Sequence, residues 1–354
     1  MLTIDKTFSG IQKVPKALSF DENSLSDWME LNIKSFEGPI IVNQFRGGQS
    51  NPTYKIETKS HTYVLRRKPP GKLLPSAHAV DREFKIMSAL HSFGYPVPRM
   101  HSYCEDQSVI GTSFYIMDYI DGRIFWDPLM PEIPLKERYA LYKAANRELA
   151  NLHNINFKQI KLENYGKPGN YFSRQISRWS SQYKSSETRT IKEMDNLISW
   201  LPSSIPEQER TSIVHGDFRI DNIIFHPSEP RVLAVLDWEL STLGDPLSDF
   251  TYHLMQWKTP PGVRGGFDSL KLRDYGIPEF KEYIKLYCER TNRDQITNLD
   301  FYFSFNVFRL AAIIQGVYAR ALNGNASNRK AIEMGEMVHP LAKLSWEFAI
   351  KAGA

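Results

Sequence analysis

The chain has 354 residues, of which 42% are hydrophobic and 24% charged, with a net charge of +4 at pH 7. These values exclude a disordered chain, and so small a charge gives no general support for nucleic-acid binding. The two cysteines, Cys104 and Cys288, are too far apart for a metal-ligand spacing. No long apolar segment occurs at the N-terminus or elsewhere. We therefore expect a reduced, cytoplasmic protein with no membrane or nucleic-acid partner.

The first 120 residues predict a small, β-rich lobe. A capping box at Ser24–Asp27 introduces a short helix. Strand patterns follow in IIVNQF, TYKIET and HTYVLRR, and a glycine-rich connection, GGQSNP, separates the first two. A main helix with apolar residues at Val80, Phe84 and Met87 ends at Gly94, and YPVPRMHSYC and QSVIGTSFYIMDYI predict two further strands. This pattern predicts an antiparallel meander with one main helix.

Helical patterns dominate after Gly122. An amphipathic helix is predicted from Leu135 to His153, and a strand, RVLAVLDW, follows the polar motif VHGDFRIDNIIF. The remaining patterns are helical: PLSDFTYHLMQW, PEFKEYIKLYCERT, FYFSFNVFRLAAIIQGVYARAL and VHPLAKLSWEFAI. The sequence therefore predicts an N-terminal lobe at residues 1–120 and a larger helical lobe at residues 121–354. Two unlike lobes imply a ligand-binding cleft.

Three polar residues interrupt the apolar segments around VHGDFRIDNIIF and VLDW. A hairpin through HPSEPR would bring Asn222 and Asp237 to one edge, where their oxygens suit Mg²⁺. Asp217 would then be left to accept a hydrogen bond from a substrate hydroxyl. These are the requirements of phosphoryl transfer. The alternative is that both aspartates cap turns and that His215 is an ordinary core residue.

The order HxDxxxxN and then a strand-borne Asp resembles the catalytic and metal motifs of the protein-kinase-like fold. The HGD form and LDWEL resemble the aminoglycoside and choline phosphotransferases. FRGGQSNPTY, YVLRRKPPGKLLPSAHAVDREF, VLDWELSTLGDPLSD and AAIIQGVYARAL resemble the phosphotransferase domains fused to acyl-CoA dehydrogenases. The resemblance implies an α+β, bilobal, protein-kinase-like fold. It also implies a kinase that uses ATP and Mg²⁺ to phosphorylate a hydroxyl of a small molecule.

The resemblance also implies roles for further residues. A loop that covers the nucleotide phosphates would comprise Gly47, Gly48, Gln49, Ser50 and Asn51. The phosphate-gripping cation would be Arg66, partnered by Glu83, with Arg67 or Lys68 as alternatives. The adenine-binding hinge would comprise Met117, Asp118, Tyr119 and Ile120. Arg219 is a further catalytic candidate that would touch the transferring phosphate, unless Asp221 neutralises it.

The acceptor and two other functions stay open at this point. The C-terminal region is rich in cationic and aromatic residues, which favours an anionic, partly apolar acceptor such as a hydroxyacyl-CoA over a polycation: Trp257, Lys258, Arg264, Arg273, Arg309, Tyr318 and Arg320. The alternatives are an aminoglycoside-type antibiotic kinase and a pseudokinase or nucleotide-binding interaction module. An arginine at the usual lysine position supports the pseudokinase, whereas the intact Asp217, Asn222 and Asp237 oppose it. The sequence does not decide the oligomeric state.

Overall fold

In a computed structural model, the described residues are 10–46, 51–71, 78–261, 263, 265–322 and 329–354. The strands are β1 (Ile11–Gln12), β2 (Ile41–Phe45), β3 (Thr53–Glu57), β4 (Thr62–Arg67), β5 (Met100–Cys104), β6 (Phe114–Asp118), β7 (Ser212–Val214), β8 (Ile223–Phe225), β9 (Val232–Val235) and β10 (Thr242–Gly244). The helices are α1 (Glu22–Asn32), α2 (Val80–Phe93), α3 (Gln107–Ile110), α4 (Leu135–Asn154), α5 (Tyr171–Ser186), α6 (Lys192–Trp200), α7 (Pro246–Leu254), α8 (Phe280–Arg290), α9 (Leu299–Leu322), α10 (Arg329–Gly335) and α11 (Val338–Lys351).

The chain forms two compact units that are interleaved in sequence. The first unit runs to Pro131 and also contains Phe157–Tyr165 and Ile220–Leu240. The second unit contains Glu132–Asn156, Gly166–Arg219 and the chain from Ser241 onward. The boundary expected after residue 120 stays a prediction.

A six-stranded antiparallel sheet forms most of the first unit, in the order β1-β2-β3-β4-β6-β5. Leu65 of β4 lies opposite Tyr54 of β3 and Ile116 of β6, and all three are fully buried. Alternate residues of a strand share one face, so these strands contribute a common apolar layer to the core. The helix α1 adds Leu25 and Met29 to the same core. The main helix α2 ends at Gly94, as its sequence predicts.

Two local predictions for this unit are wrong. The helix α1 begins before Ser24, because the Asp21 carboxylate accepts hydrogen bonds from the Asn23 and Ser24 backbone N–H groups at 2.9 and 3.3 Å. The segment QSVI, expected to begin a strand, is instead the helical turn α3. Asp106 caps that turn through the Ser108 N–H at 2.8 Å, and the left-handed Gly111 ends it. In both cases an aspartate that was not assigned as a cap sets where the helix begins.

The hairpin expected between Asn222 and Asp237 is confirmed. Strands β8 and β9 pair antiparallel with Ile223 opposite Val235, and the Leu236 N–H donates to the Asn222 carbonyl at 2.8 Å. The strand β8 also exchanges backbone hydrogen bonds between Phe225 and Arg123. A Cβ on Gly122 would lie 2.4 Å from the Phe225 carbonyl oxygen, so only glycine permits this close approach. The hairpin is therefore fixed to the first unit.

The second unit is mainly helical, with α9 as its central element. This helix is mostly apolar and is buried along most of its length, and α5, α7, α10 and α11 pack against it. A short antiparallel pair, β7 with β10, places Val214 opposite Thr242 just before the HGD motif. Within the residues described, no helix combines the length and apolar character needed to cross a membrane.

Candidate functional site

A buried arginine joins three carboxylates in the first unit. The Arg66 Nε of β4 lies 3.1 Å from Glu83 Oε2 of α2. Its Nη2 lies 2.8 Å from Asp237 Oδ1, just after β9, and 3.9 Å from Glu239 Oε2. Burial alone would lower the pKa of Arg66, but Glu83 and Asp237 outweigh it and raise that pKa. Arg66 therefore stays charged and connects the sheet, the main helix and the hairpin.

Glu83 is the most enclosed member of this cluster. Its side chain is 1% exposed and accepts hydrogen bonds from the Tyr115 hydroxyl at 2.9 Å and the Asn51 amide at 3.1 Å. Burial raises the pKa of Glu83 while the positive charge of Arg66 opposes that effect. The expected partnership of Arg66 and Glu83 is thus present as an ion pair.

Arg67, the neighbouring candidate, lies in a different environment. Its guanidinium donates to the carbonyls of Ile110 and Leu18 at 3.0 and 3.1 Å and lies 5.1 Å from the centre of the Phe20 ring. Successive side chains of a strand point to opposite faces of the sheet, which separates Arg67 from Glu83. Of the two arginines, Arg66 is the one that pairs with Glu83.

The loop residues expected over the phosphates are only partly described. Gly47, Gly48, Gln49 and Ser50 lie outside the described residues, so their role stays a prediction. Asn51 is fully buried, and its amide joins Glu83 to His78, whose Nδ1 lies 2.9 Å from Asn51 Oδ1. The Asn51 side chain therefore supports Glu83, and its contact with a nucleotide also stays a prediction.

Asn222 and Asp237 lie at the open end of the β8–β9 hairpin. Asn222 ends a short 3₁₀ turn, and Asp237 adopts a left-handed backbone conformation with φ of 66°. An amide oxygen and a carboxylate form a hard donor set that fits Mg²⁺. The Asp237 side chain is 30% exposed, so the carboxylate is accessible even while it pairs with Arg66.

The expected hinge follows the end of β6. The Asp118 N–H donates to the Arg99 carbonyl at 2.9 Å, and the Tyr119 N–H donates to the Thr62 carbonyl at 3.2 Å. The Tyr119 ring stacks on Phe45, with 6.4 Å between ring centres. Met117 is buried in the sheet, and Ile120 continues beyond it. Adenine binding by this segment stays a prediction.

In the second unit, a buried carboxylate fixes the loop that carries Asp217. Asp249 of α7 accepts hydrogen bonds from the backbone N–H groups of His215 and Gly216, at 2.6 and 2.8 Å. The same carboxylate lies 3.2 Å from His153 Nε2. Burial raises the pKa of Asp249, but the contacts with His153 and His215 outweigh it and lower that pKa. An ionised carboxylate thus holds the main chain of the first two residues of the HGD motif.

No role was assigned to Asp249 from the sequence. Asp245 caps α7 through the Leu247 N–H at 2.8 Å, and burial raises the pKa of Asp245 to about 6. The available signal was the second aspartate of GDPLSD, one helical turn later. Asp245 and Asp249 are four residues apart, so Asp245 caps the start of α7 and Asp249, one turn later, reaches the HGD loop.

Arg309 of α9 also holds this loop. Its Nη2 donates to the Gly216 carbonyl at 2.7 Å, and Gly216 has a left-handed backbone conformation with φ of 85°. The Arg309 guanidinium lies over the rings of Trp179 and Tyr252, 5.5 and 5.1 Å from their centres. Arg309 is 3% exposed, so it braces the loop from inside the helical core.

Asp217 itself lies half-buried beside a pocket within the second unit. Its Oδ1 accepts a hydrogen bond from the Tyr252 hydroxyl at 2.6 Å. The pocket has a volume of about 300 Å³, including space open to solvent, and is lined by Arg219, Tyr252, His253, Met255, Gln256, Thr259 and Leu310. Asp217 and Arg219, both expected to be catalytic, thus lie near one pocket.

Comparison with known proteins decides the family. A model of the phosphotransferase enzyme family matches residues 41–283. The chain belongs to the phosphotransferase enzyme family. The resemblance seen in its motifs is therefore confirmed.

Curated relatives of this phosphotransferase are named acyl-CoA dehydrogenases. The chain is 44% identical over 343 residues to acyl-CoA dehydrogenase family member 10 of Mus musculus, which is 96% of this chain and 32% of that protein. It is 42% identical over 344 residues to family member 11 of Homo sapiens, which is 95% of this chain and 44% of that protein. The chain thus spans about a third of the first relative's length and less than half of the second's.

Solved structures confirm the α+β kinase-like fold. A Ralstonia eutropha JMP134 protein, provisionally named an aminoglycoside phosphotransferase, is 47% identical with a TM-score of 0.86, covering 94% of this chain and 99% of that one. A choline kinase from Cryptosporidium parvum Iowa II is 13% identical with a TM-score of 0.63, covering 94% and 97%. This second likeness concerns the fold alone.

Proposed function

We propose that this chain is a kinase that transfers the γ-phosphoryl group of ATP to an alcohol hydroxyl of a small molecule. Family membership supports the reaction class. Two proteins of the same fold support the use of an adenine nucleotide. They are a spectinomycin phosphotransferase in complex with ADP and spectinomycin, and a mutant aminoglycoside phosphotransferase in complex with AMP-PNP and hygromycin B.

The position of Asp217 carries the proposal. Its carboxylate lies beside a pocket, on a loop held by Asp249 and Arg309. The Tyr252 hydroxyl donates a hydrogen bond to Asp217 Oδ1, which is the position proposed for the acceptor hydroxyl. In the reaction, an acceptor hydroxyl donates there instead, and its oxygen is oriented toward the γ-phosphorus. Asp217 takes the hydroxyl proton as the new oxygen–phosphorus bond forms and the bond from phosphorus to the departing ADP oxygen breaks.

The charged cluster of the first unit is assigned to the nucleotide. Arg66, held by Glu83, would bind phosphate oxygens through its planar guanidinium. Asn222 and Asp237 would hold Mg²⁺, which supplies positive charge that neutralises the phosphate oxygens. Asp237 is paired with Arg66 at 2.8 Å, so both groups belong to one network in which phosphates and a cation can replace the direct ion pair.

A hydroxyacyl-CoA is the proposed acceptor class. None of the seven described residues that line the pocket beside Asp217 is acidic, and Arg219 is cationic. Polycationic antibiotics need carboxylates for recognition, whereas an anionic acceptor needs positive charge. The names of the curated relatives also include acyl-CoA. Pocket chemistry and relatives therefore favour the same acceptor class.

An acceptor panel tests the proposal. The release of ADP from ATP and Mg²⁺ would be measured with hydroxyacyl-CoAs, free hydroxy acids, choline-like amines and aminoglycosides. We expect acceptor-dependent release with the hydroxyacyl-CoAs. Arg219→Gln is expected to raise the KM for them by about tenfold, because it removes the cation beside the acceptor. Release with aminoglycosides alone would contradict the acceptor class.

A binding measurement separates an inactive protein from an unsuitable panel. Thermal unfolding would be followed with ATP in the presence and absence of Mg²⁺. We expect a higher Tm with ATP and a further rise with Mg²⁺, because a ligand that binds only the folded state stabilises it. If ATP changed nothing under either condition and no acceptor gave ADP, the pseudokinase or interaction-module alternative would replace the proposal.

A further inference from the structure

Two histidines and one aspartate meet at one end of the sheet in the first unit. His61 Nε2 lies 2.9 Å from Asp118 Oδ1, and His101 Nε2 lies 2.6 Å from the same oxygen. One ligand atom from each of the three residues lies within 4.8 Å of the others. The geometry thus brings two imidazoles and a carboxylate to a single point.

Strand order explains why residues distant in sequence converge here. Strand β6 lies between β4 and β5, so Asp118 at the end of β6 has a neighbour on each side. His61 directly precedes β4, where Tyr63 lies opposite Asp118. On the other side, the register of β5 shifts between Met100 and Ser102, at the position of His101. Such a bulge re-aims a side chain, and here it accompanies the contact between His101 and Asp118.

His101 and Asp118 are largely buried in the cluster, whereas His61 is accessible to solvent. The His101 side chain is 8% exposed and that of Asp118 24%, whereas that of His61 is 41% exposed. Backbone hydrogen bonds from Asp118 to Arg99 and from Tyr119 to Thr62 hold the adjoining strand ends. The cluster is therefore supported by the sheet and open to solvent at His61, which leaves an entry path for an ion.

We propose that His61, His101 and Asp118 form a binding site for one divalent transition-metal ion of the Zn²⁺ type. Two imidazoles and one carboxylate are a common zinc ligand set, with a solvent molecule in the remaining position, and Mg²⁺ and Ca²⁺ prefer all-oxygen sites. Bond lengths of about 2.0–2.2 Å place tetrahedral ligands about 3.3–3.6 Å apart. That spacing is longer than the present 2.6 Å between His101 Nε2 and Asp118 Oδ1. It is shorter than the 4.8 Å within which the three ligand atoms lie.

This site is separate from the proposed magnesium pair, Asn222 and Asp237. A bound ion would tie together the ends of β4, β5 and β6, directly before Tyr119 and Ile120. Binding only to the folded state would raise its stability. The metal is thus expected to be structural, and to hold the strand end from which the predicted hinge begins.

Zinc titration of the intact, chelator-treated chain tests the proposal. A chromophoric chelator would compete for Zn²⁺ with the wild type, His61→Gln and the His61→Gln/His101→Gln double variant. We expect one competing site per wild-type chain and at least about tenfold weaker binding in His61→Gln, because the loss of even an outer-shell partner costs a metal site about that factor. The double variant should lose the site.

His339→Gln is the matched control. His339 is exposed and lies 3.8 Å from Glu193 in the second unit, so it offers a histidine–carboxylate pair without the third ligand. We expect zinc binding by this variant to equal that of the wild type. Equal zinc affinity in the wild type and the double variant would overturn the proposal, and so would the lack of a competing site in the wild type.

A spectroscopic measurement on the single variant tests the site even if the double variant does not fold. Co²⁺ bound to the wild type should give the visible absorption bands of a tetrahedral site, and these bands should weaken in His61→Gln, whose side chain is exposed. Unchanged bands in His61→Gln would contradict the assignment even if the double variant failed to fold.

Discussion

The Asp217 loop of the second unit and the Arg66 cluster of the first are held in different ways. Asp249 and Arg309 hold the loop by hydrogen bonds to its main chain, at 2.6–2.8 Å, and both are buried. Arg66 instead joins the side chains of Glu83 and Asp237, and Asp237 is 30% exposed. A main-chain anchor fixes the backbone itself, whereas an ion pair can exchange one anion for another.

This difference suits the proposed roles of the two regions. A loop that orients an acceptor hydroxyl is most effective when its geometry is set before the substrate binds. A cluster that receives phosphates and a cation must accept new charged partners. Arg66 keeps one permanent partner in buried Glu83 and has a second, more exposed partner in Asp237.

Asp249→Ala is expected to have the largest effect on stability. The substitution leaves two buried N–H groups and His153 without their carboxylate, so we predict a loss of about 3–5 kcal/mol in the free energy of unfolding. Urea denaturation would measure it. Asp245→Ala on the same helix removes only a cap and should cost about 1 kcal/mol. Equal losses in the two variants would refute the distinction between anchor and cap.

His253 gives the second unit a stability loss at acidic pH. Burial lowers the pKa of His253 from 6.5 to about 4. His253 is therefore protonated below about pH 6.5 in the unfolded chain, but only below about pH 4 in the folded chain. This histidine's contribution is complete above that window and falls by about 3 kcal/mol as pH decreases through it.

His253→Gln should remove that pH dependence. Urea denaturation of both proteins would be measured from about pH 7 down to about pH 4. The difference in unfolding free energy between wild type and variant should shrink by about 3 kcal/mol across the range. His339→Gln, which changes an exposed histidine, should leave the curve in place. A constant difference between wild type and His253→Gln would show that His253 has the same pKa in the folded and unfolded chains, and would contradict the prediction.

The smallest of these effects concerns Arg66 and tests whether its cluster binds phosphates. Arg66→Lys keeps the charge but loses the planar fork that reaches Glu83 and Asp237 together. We expect the Kd for ATP with Mg²⁺ to rise about tenfold by calorimetry, equivalent to about 1.4 kcal/mol. Lys68→Met is the control and should change the Kd little. A larger rise in Kd for Lys68→Met than for Arg66→Lys would assign phosphate binding to Lys68.

Sequence patterns predicted the features that depend on short stretches of chain. The β8–β9 hairpin follows from two apolar runs and a turn. The pairing of Arg66 with Glu83 was implied by the resemblance to the kinase-like fold, and it joins a strand to the next helix. Asp249 and Arg309 were not assigned to the loop because tertiary packing brings them there, 34 and 93 residues after their partners. The convergence of His61, His101 and Asp118 likewise depends on strand order and a bulge.

The turnover of Asp217→Asn shows whether the Asp217 carboxylate takes the proton of the acceptor hydroxyl. ADP release would be measured with ATP, Mg²⁺ and the acceptor found in the panel, and ATP binding would be measured on the same sample. We predict that kcat falls by at least about a hundredfold, while the Kd for ATP stays within about twofold. Full turnover by Asp217→Asn would contradict this prediction.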